Sequence, residues 1–276
     1  MKWRVVDVEF DDPYMNMAVE EAIPLAVSRG LAPSTLRFWR NDNTIVIGRF
    51  QCAALEVNFH ACREFRVSVV RRFTGGGAVY HDWGNLNYAL SIRREEAARD
   101  LMEGFKLLGE AVSCGLRKAF GIDAKFVPIN DLQIGGRKVS GMAGAIFKNA
   151  LFLHGCILVN SDLAILGRVL NVPKEKLAEK KVTSAAKRVI TVCEAVGRVV
   201  DVEEVKRAIR LGVEEVFGVE LVDGELTAEE RRLAEELYKG KYCSPEWSLG
   251  PCKFCSMKNR DLKIFEELTF KRRGAR

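Results

Sequence analysis

The spacing of apolar and polar residues along the chain predicts short strands interspersed with longer helices. Strands are expected where β-branched and aromatic residues alternate or cluster, at 3–9, 34–39, 44–48, 67–72 and 86–92. Helices are expected where apolar residues recur every three or four positions, at 13–29, 55–65, 96–120, 161–169, 174–180, 202–217 and 227–242. Asp12 and Pro13 supply an N-cap and a first-turn proline for the first helix, and Gly121 ends the third.

The middle of the chain predicts an antiparallel meander. Gly135 and Gly136 separate two strand-like runs, NDLQI and RKVSGMAGAIF, as a two-residue hairpin turn would. Lys148 and Asn149 then lead into a third run at 150–160. Because strands and helices follow one another without regular βαβ alternation, we expect an α+β fold whose mixed, largely antiparallel sheet is flanked by helices.

Composition and charge favour a soluble, cytoplasmic protein. Hydrophobic residues make up 48% and charged residues 29% of the 276 residues, which excludes intrinsic disorder. No apolar run reaches the roughly 20 residues of a spanning helix, and the charged N-terminus lacks the apolar core of a signal peptide. The net charge of +6 suits an acidic or phosphorylated partner. Because this charge is spread among acidic residues, nucleic acid is not an expected partner, and the lack of a long apolar run leaves no expected membrane partner.

The eight cysteines predict neither a disulfide framework nor a metal site. Five are scattered among apolar neighbours, and free cysteine behaves as a small hydrophobe in proteins that are not exported. Cys243, Cys252 and Cys255 lie close together in sequence, but three ligands without a nearby histidine fall short of the four that structural zinc takes. No role follows for this cluster.

The glycine-rich run RRFTGGGAV at 71–79 is the strongest local feature. Three consecutive glycines let the backbone approach a ligand closely and can point N–H groups at an anion. Arg72 and Thr74 add guanidinium and hydroxyl donors suited to phosphate or carboxylate. The run is neither a Walker A loop nor a dinucleotide fingerprint. An anion site and a flexible hairpin tip explain this pattern about equally well.

Two further clusters carry possible chemistry. Asp131 and Lys138 flank the predicted hairpin, where the lysine could hold an acyl carbonyl or a phosphate and the carboxylate could orient an amine. A cross-strand ion pair is the simpler alternative. His154 and Cys156 lie two apart in the third run. Residues at this spacing share a strand face without facing one another, so His154 is poorly placed to activate a Cys156 nucleophile.

Several segments together resemble the lipoate–protein ligase A family. In chain order they are YMNMAVEE (14–21), WRNDNTIVIGRFQ (39–51), RRFTGGGAVYHDWGNLN (71–87), NDLQIGGRKVSGMA (130–143), LHGCILVN (153–160), KVTSAAKRV (181–189) and EWSLG (246–250). The joint occurrence of R-R-x-[ST]-G-G-G-A-V-x-H-D-x-G-N and N-D…R-K-V-S-G is far more specific than either motif alone. The resemblance implies the fold shared by biotin and lipoate ligases and by class II synthetase catalytic domains.

The resemblance also implies a two-step, ATP-dependent reaction. Lipoate attacks the α-phosphate of Mg–ATP to give lipoyl-AMP, and a specific lysine of an apo lipoyl domain then takes the acyl group. Acceptors of this kind are the acyltransferase subunits of 2-oxoacid dehydrogenases and the glycine-cleavage H protein. The cofactors implied are therefore ATP and Mg²⁺, with lipoate as substrate.

Site residues are carried over from the family motifs one by one. Lys138 is expected to hold the acyl oxygen and the α-phosphate, Arg72 the ligand's polar end, and Asn130 and Asp131 the nucleotide side and the attacking amine. The loop that wraps the acyl-adenylate comprises Gly75, Gly76, Gly77, Ala78 and Val79. The remaining expected binding residues are Thr74, His81, Asn85, Ser140, Gly141 and His154. An apolar tunnel from residues such as Val79 and Ile146 would suit the aliphatic chain.

The chain departs from the family after EWSLG. Family ligases that act alone carry a further C-terminal accessory domain, whereas here residues 251–276 follow. We therefore expect a catalytic domain at 1–250, a short cysteine-containing basic tail at 251–276, and a separate accessory-domain protein as a candidate partner in activation. Related transferases use a cysteine thioester, and their cysteine lies either shortly before the lysine strand or some way after the His-Gly strand. The corresponding ranges here, 123–137 and 161–190, contain no cysteine, which disfavours transferase chemistry of that kind. The alternatives left open are acyl transfer through Cys156, a non-catalytic lipoyl-adenylate or lipoyl-domain binding module, and a ligase for another cofactor such as biotin.

Overall fold

A computed structural model of the chain describes residues 1–96, 100–171 and 188–250, together with 263, 264 and 267. The strands are β1 (Lys2–Asp7), β2 (Thr35–Trp39), β3 (Thr44–Ile47), β4 (Ser68–Arg71), β5 (Val79–His81), β6 (Asn85–Arg93), β7 (Lys125–Val127), β8 (Asp131–Ile134), β9 (Arg137–Ile146), β10 (Ala150–Leu158) and β11 (Glu220–Asp223). The helices are α1 (Pro13–Ser28), α2 (Ala53–Glu56), α3 (Phe59–Glu64), α4 (Leu101–Phe120), α5 (Leu163–Val169), α6 (Val192–Val196), α7 (Val202–Phe217), α8 (Ala228–Leu237) and α9 (Pro245–Leu249). Within these ranges, no helix has both the length and the apolar character needed to cross a bilayer.

The strands form two sheets. The larger has the order β11-β1-β2-β6-β10-β9-β8-β7, and the smaller has the order β4-β3-β5. In the larger sheet β1 runs parallel to β11 and to β2, while every other neighbouring pair is antiparallel. In the smaller sheet β3 runs parallel to β4 and antiparallel to β5. The predicted α+β class with a mixed, largely antiparallel sheet is confirmed.

Most predicted elements are confirmed, and the differences have local causes. The helix expected at 55–65 is divided into α2 and α3, because Val57 forms an isolated bridge with Leu170 and the Asn58 side chain caps α3. The helix expected at 227–242 is α-helical to Leu237 and then continues as a π-helical turn over Tyr238–Tyr242. Strands β7 and β11 are too short to have been recognised. The predicted helix at 174–180 and the tail with Cys252 and Cys255 lie outside the described residues.

One face of the larger sheet packs under α4 and α7. Alternate residues of the central strands, such as Leu90 and Leu153, join Leu108 of α4 and Ile209 of α7 in the main core. The two helices approach closely, because a Cβ at Gly115 would lie 1.9 Å from the Ala208 carbonyl oxygen. This layer holds the sheet rigidly and leaves its opposite face to build the site.

The opposite face carries α1, α8 and the smaller sheet. Met17 and Ala18 of α1 pack with Leu233 of α8 and Val46 of β3 in a second core. Residues from the smaller sheet and from strands β2, β6, β9 and β10 together line a cleft on this side. The sequence-predicted glycine run lies between β4 and β5, at the mouth of that cleft.

Candidate active site

The cleft brings together segments that are distant in sequence. Its lining residues are Met17, Trp39, Val46, Arg72, Gly76, Gly77, Ala78, Val79, His81, Asn87, Asn130, Lys138, Gly141, Met142, Ala143, His154, Gly155 and Cys156. Ten of the residues expected from the family motifs are in this set: Arg72, Gly76, Gly77, Ala78, Val79, His81, Asn130, Lys138, Gly141 and His154. The set also mixes charged and apolar groups, as a site for an amphipathic ligand does.

A row of residues paired directly across the larger sheet forms the floor of the cleft. Trp39 of β2 pairs with Asn87 of β6, and Asn87 pairs with Cys156 of β10. Cys156 pairs with Gly141 of β9, and Gly141 pairs with Asp131 of β8. Directly paired residues point to the same face of a sheet. The row therefore runs from an aromatic end at Trp39 to a charged end at Asp131.

A β-bulge turns Lys138 towards the charged end of the cleft. The pairing of β8 with β9 shifts between the Leu132–Ser140 and Gln133–Lys138 pairs, which leaves Val139 as the extra residue. Without the bulge, Lys138 would point away from the face of Gly141, because side chains alternate along a strand. In the structure Val139 is instead fully buried in the main core, and Lys138 lines the cleft.

Lys138 and Asp131 form an ion pair at this end. The Lys138 Nζ lies 2.6 Å from Asp131 Oδ1, and both side chains are partly exposed. Gly141 provides the space for the ammonium group, since a Cβ there would lie 2.4 Å from Nζ. Asn130 is anchored beside them by a hydrogen bond from its Nδ2 to the Met142 carbonyl oxygen. Partly exposed ion pairs stabilise a fold little, so both groups can exchange partners with a ligand.

Arg72 holds the glycine-rich loop rather than projecting freely into the cleft. Its Nη2 donates to the carbonyl oxygens of Gly75 at 2.6 Å and of Gly77 at 2.8 Å. Its Nη1 donates to the Val46 carbonyl oxygen, and its Nε donates to Thr74 Oγ1 at 3.1 Å. Burial lowers the pKa of this arginine to about 10. The guanidinium therefore places a positive charge behind the loop and fixes the loop's shape.

A buried hydrogen-bond chain continues from Thr74 across the cleft wall. The Thr74 Oγ1 lies 2.8 Å from His154 Nε2, and His154 Nδ1 lies 3.1 Å from Glu20 Oε1. Arg37 Nη1 donates to the other Glu20 oxygen at 2.8 Å. Burial lowers the pKa of His154 although Glu20 acts in the opposite direction. A neutral His154 that donates from Nδ1 to Glu20 and accepts at Nε2 from Thr74 gives both of its ring nitrogens a partner.

The aromatic end of the cleft contains a second buried histidine. The amide nitrogens of Asn41 and Asn87 lie 3.4 Å and 3.5 Å from His81 Nδ1. Burial, with Arg72 nearby, lowers the pKa of His81 to about 3, so the ring is neutral at physiological pH. Trp39 packs edge-on against this ring, with 5.9 Å between the ring centroids.

Cys156 lies on the cleft floor but in an unreactive setting. Burial raises the pKa of its thiol, although Lys138 and Arg72 favour the thiolate. Both ring nitrogens of His154 are engaged by Thr74 and Glu20. His154 is therefore not available as a base for this thiol, as its spacing of two residues already indicated.

Five expected site residues lie beside the cleft rather than on its wall: Thr74, Gly75, Asn85, Asp131 and Ser140. Asn85 is buried and donates its amide to Asn87 Oδ1 at 3.1 Å. Ser140 Oγ lies 2.8 Å from the Tyr88 hydroxyl on the side of the main core. Ile146 does not line the cleft at all, because it lies near the far end of β9 and is 55% exposed. The expectation that it forms part of an apolar tunnel is wrong, and Met17 and Met142 line the cleft instead.

Sequence reasoning missed several positions that line the cleft. Trp39, Met17, Asn87 and Met142 lie within the segments that carry the family resemblance, but their residue types alone do not mark them as cleft residues. Glu20 is easier to recognise from the sequence, since it is a carboxylate among the mostly apolar buried residues of α1. Buried carboxylates are rare unless they are paired.

A second arginine of the glycine-rich run anchors the segment EWSLG. Arg71 Nη1 donates to the carbonyl oxygens of Gly48 at 2.8 Å and Gln51 at 2.7 Å. Its Nε donates to the Trp247 carbonyl oxygen at 3.0 Å, and its Nη2 to that of Ser248 at 3.2 Å. The Trp247 indole donates back to the Arg71 carbonyl oxygen. Adjacent residues on a strand point in opposite directions, so Arg71 and Arg72 organise different parts of the cleft's surroundings.

The cysteines give one correction. Cys52 is disulfide-bonded, although the sequence predicts no disulfide framework. The other cysteines in the described ranges are thiols. In the same ranges, no three His, Cys, Asp or Glu side chains come together as a metal site requires.

Comparison with known proteins agrees with this geometry. The family model of the lipoyl protein ligase A/B catalytic domain matches residues 12–214. Lipoate-protein ligase A subunit 1 of Thermoplasma acidophilum is 37% identical over 246 residues, which cover 86% of this chain and 92% of that protein. Octanoyltransferase LipM of Brevibacillus brevis is 31% identical over 277 residues, which cover 90% of this chain and 99% of that protein.

Solved structures of lipoate ligases have the same fold as this chain. A bi-partite lipoate protein ligase from Thermoplasma acidophilum, described with its E2 lipoyl domain, aligns with a TM-score of 0.81 at 34% identity and covers 94% of this chain and 99% of its own. A lipoate-protein ligase A bound with ATP aligns with a TM-score of 0.80 at 33% identity and covers 91% of this chain and 99% of its own. The chain is thus a lipoate ligase/octanoyltransferase-type enzyme and belongs to the lipoyl protein ligase A/B catalytic domain family.

Proposed function

We propose that this chain is the catalytic subunit of an ATP-dependent lipoate–protein ligase. It converts lipoate and Mg–ATP into lipoyl-AMP and transfers the lipoyl group to a specific lysine of an apo lipoyl domain. The observation that carries the proposal is the Lys138–Asp131 pair at the charged end of a cleft whose lining also includes apolar residues such as Met17, Val46 and Met142. Support also comes from the similar ligase that binds ATP.

Adenylate formation requires positioning and charge neutralisation more than a protein nucleophile. Lys138 would lie between the lipoate carboxylate and the α-phosphate and offset negative charge as the carboxylate oxygen attacks phosphorus and pyrophosphate leaves. The loop around Gly76 and Gly77 would cover the acyl-adenylate with backbone N–H groups, held in shape by Arg72. Asn130, on the segment that leads into β8, would contact the nucleotide.

Transfer to the acceptor requires a neutral amine and a carboxylate nearby. The acceptor lysine would attack the acyl carbon of the mixed anhydride, and AMP would leave with the phosphate oxygen. Asp131 is 2.6 Å from Lys138 Nζ and would orient the incoming amine and receive its proton. The net charge of +6 favours encounter with an acidic acceptor domain.

The second candidate function is acyl transfer through a cysteine thioester. The similarity to octanoyltransferase LipM over 90% of this chain favours it. Against it, burial raises the pKa of the Cys156 thiol, and His154 is engaged elsewhere. Adenylate chemistry therefore agrees better with the groups that line the cleft.

A separate accessory protein would be the partner in activation. The similar protein from Thermoplasma acidophilum is named as subunit 1, and its structure is described as a bi-partite ligase. In such an arrangement, this chain alone would transfer a preformed lipoyl-adenylate but would need the partner to make one.

Intact-mass analysis of an apo lipoyl domain tests the proposal. The domain is incubated with this chain and one of three donors: lipoate with Mg–ATP, synthetic lipoyl-adenylate, or octanoyl carrier protein. A lipoyl mass shift with either of the first two donors supports a ligase. A shift with octanoyl carrier protein alone, lost in Cys156→Ala, would establish the transferase instead.

Lys138→Ala gives the residue-level test. Adenylate-dependent transfer should fall by at least about 100-fold, as is typical when a group that stabilises developing charge is removed. Lys125→Ala is the matched control, since Lys125 lies on β7 at the edge of the same sheet, is 70% exposed and pairs with Asp123 outside the cleft. Near-normal transfer by Lys138→Ala would contradict the proposed mechanism.

A further inference from the structure

A lysine side chain lies among three aromatic rings beside the start of the glycine-rich loop. Lys241, in the π-helical turn that follows α8, has its Nζ 4.1 Å from the centre of the Trp247 ring and 5.2 Å from that of Tyr242. The centre of the Phe73 ring is 5.9 Å from the same atom. A cation within about 6 Å of an aromatic ring centre is attracted to the face of the ring, most strongly for tryptophan. Lys241 therefore joins the C-terminal segment to Phe73, the residue before Thr74.

Glu21 of α1 holds the ammonium group in place. Its two carboxylate oxygens lie 2.8 Å and 2.6 Å from Lys241 Nζ, and the Tyr242 hydroxyl donates to one of them at 2.6 Å. The Lys241 and Glu21 side chains are only 24% and 13% exposed. Burying an ion pair costs desolvation that offsets much of its attraction, so such a pair is weak evidence of a contribution to stability. The pair is better explained by the position that it gives to the neighbouring rings.

Trp247 is bound to the strand that leads into the loop. Its indole Nε1 donates to the Arg71 carbonyl oxygen at 3.0 Å, and its own carbonyl oxygen accepts from Arg71 Nε at 3.0 Å. The Tyr242 ring packs edge-on against the indole, with 5.8 Å between ring centroids, and Lys241 contacts the same indole. Trp247 therefore connects Lys241 to the end of β4.

Phe73 extends this connection to the floor of the cleft. Its ring packs against Phe152 of β10, with 5.1 Å between centroids, and Phe152 in turn packs against His154 at 4.9 Å. His154 Nε2 is also the partner of the Thr74 hydroxyl. Phe73 is buried, and together with Phe152 it belongs to a small core against which Trp247 packs. The start of the glycine-rich loop is thus held between the cleft floor and the rings around Trp247.

Lys241 acts at a distance from the ligand. Neither Lys241 nor Glu21 nor Trp247 is among the residues that line the cleft. Their effect on a bound acyl-adenylate must therefore pass through the glycine-rich loop, of which Gly76 and Gly77 line the cleft. A displacement of about 1 Å in a group that positions a substrate can reduce a reaction rate by about 100-fold. A small movement of the loop is thus enough to alter the reaction.

We propose that Lys241 is a positioning residue for the glycine-rich loop and acts through Phe73 and Trp247. This inference rests on the proposed function, in which the loop covers the acyl-adenylate. The cation fixes the two rings, and the rings fix the backbone on either side of Arg72. Arg72 in turn holds the carbonyl groups of the loop. Without the cation, the folded chain binds the acyl-adenylate more weakly, and its recognition of the acceptor domain is unchanged.

Lys241→Met keeps most of the side-chain length and removes the charge. In transfer from synthetic lipoyl-adenylate to an apo lipoyl domain, the KM for the adenylate should rise by at least about tenfold, and the KM for the domain should stay the same. Lys239→Met is the matched control, since Lys239 lies in the same turn, is 74% exposed and pairs with Glu235. A merely structural role would reduce the amount of folded enzyme, which lowers the apparent kcat and leaves both KM values unchanged. That outcome would overturn the proposal.

A double variant separates the cation from the carboxylate that it neutralises. Lys241→Met leaves Glu21 without its cation, whereas Glu21→Gln/Lys241→Met contains no unpaired charge at this position. The double variant should therefore be more stable in urea denaturation than Lys241→Met, yet its KM for the adenylate should remain raised. A KM that returns to the value of the unaltered chain would contradict the role given to the cation.

Hydrogen exchange separates this outcome from that of the proposed function. Amides of residues 73–79 should exchange at least about threefold faster in Lys241→Met than in Lys239→Met, and this comparison requires no turnover. Failure to modify a lipoyl domain with any donor would reject the ligase, whereas exchange would still report on the loop. Unchanged exchange at 73–79 would exclude the positioning role even in a working ligase.

Discussion

Thr74 Oγ1 lies 2.8 Å from His154 Nε2, and this contact joins the glycine-rich loop to the floor of the cleft. On the loop side Thr74 receives a hydrogen bond from Arg72, and on the floor side His154 contacts Glu20, which is paired with Arg37. The loop is thereby connected to α1 and β2 through buried polar groups. Such networks are rigid when every member is satisfied and costly when one is removed.

Removing the Thr74 hydroxyl should break the hydrogen bond that connects the glycine-rich loop to His154 on the cleft floor. Thr74→Val keeps the side-chain shape but leaves the Arg72 Nε with one partner fewer and His154 Nε2 unsatisfied. The free energy of unfolding should fall by about 1–3 kcal/mol, and transfer activity by more than about tenfold because the loop is misplaced. Urea denaturation and the lipoylation assay measure the two effects. Thr74→Ser retains the hydroxyl and should stay close to the unaltered chain; equal losses in both variants would refute the role given to the hydroxyl.

Acid should destabilise the fold through His81. Its folded pKa, about 3, is below its ordinary value near 6.5. Between these two values the unfolded chain binds a proton that the native chain does not, so stability is complete above about pH 6.5 and declines as the pH falls towards 3. This group alone contributes a slope of roughly 1.4 kcal/mol per pH unit in that interval.

Urea denaturation at pH 7, 5.5 and 4.5 measures this slope. In His81→Asn the slope of the free energy of unfolding against pH should decrease by the amount that corresponds to about one bound proton, even if the variant is less stable at every pH. His60→Asn, the same substitution at an exposed position, is the matched control. A slope in His81→Asn equal to that of the unaltered chain would show that the histidine does not titrate in this way.

Gly48 should be intolerant of any side chain. A Cβ at this position would lie 2.1 Å from the Gly76 carbonyl oxygen, which belongs to the loop over the cleft. Gly48→Ala must therefore displace the loop, and ligand affinity should fall by at least about tenfold. Calorimetric titration with lipoate measures the loss. Gly240→Ala is the control, since a Cβ there meets no atom within 4 Å; similar affinities for the two variants would contradict this prediction.

Arg71→Lys should loosen the segment that contains Trp247. The guanidinium spans carbonyl groups from two separate segments, around Gly48 and around Ser248, and an ammonium group cannot reach both sets in the same geometry. The free energy of unfolding should fall by about 2 kcal/mol, as buried acceptors lose their donors. Hydrogen exchange should accelerate at 48–51 and 247–250. Arg63→Lys, at an exposed position in α3, is the control; unchanged exchange in Arg71→Lys would refute the anchoring role.

Much of the fold follows from local sequence patterns. Helices α1 and α7 match their predicted limits closely because each begins at a strong N-cap, Asp12 and Asp201, with apolar residues at helical spacing. The β8–β9 hairpin follows from Gly135-Gly136, where both residues have positive φ. Strand β11 was missed, since a four-residue strand with one buried side chain has no periodicity to detect.

Part of the candidate site could be predicted from the sequence for the same reason. Asp131 and Lys138 lie seven positions apart on one hairpin, so their proximity depends on a single turn. The glycine-rich run can be recognised from its amino-acid composition alone. Glu20 and Trp39 could not be predicted as site residues from local sequence, because each is placed in the site by contact with a residue far along the chain. Glu20 contacts His154, and Trp39 packs against His81.

The amino-acid sequence by itself determined the order of elements, the hairpin that pairs Asp131 with Lys138, and the glycine run. These depend on interactions between residues close together in the chain. Tertiary structure alone decided that Lys138 faces the cleft, through a bulge that buries Val139, and that Trp39 Nε1 and His81 Nε2 are buried without a hydrogen-bond partner among the described residues. There are two physical reasons. A one-residue shift in register reverses the direction in which a side chain points from a sheet. The burial of a polar group depends on all the segments of the chain that pack around it.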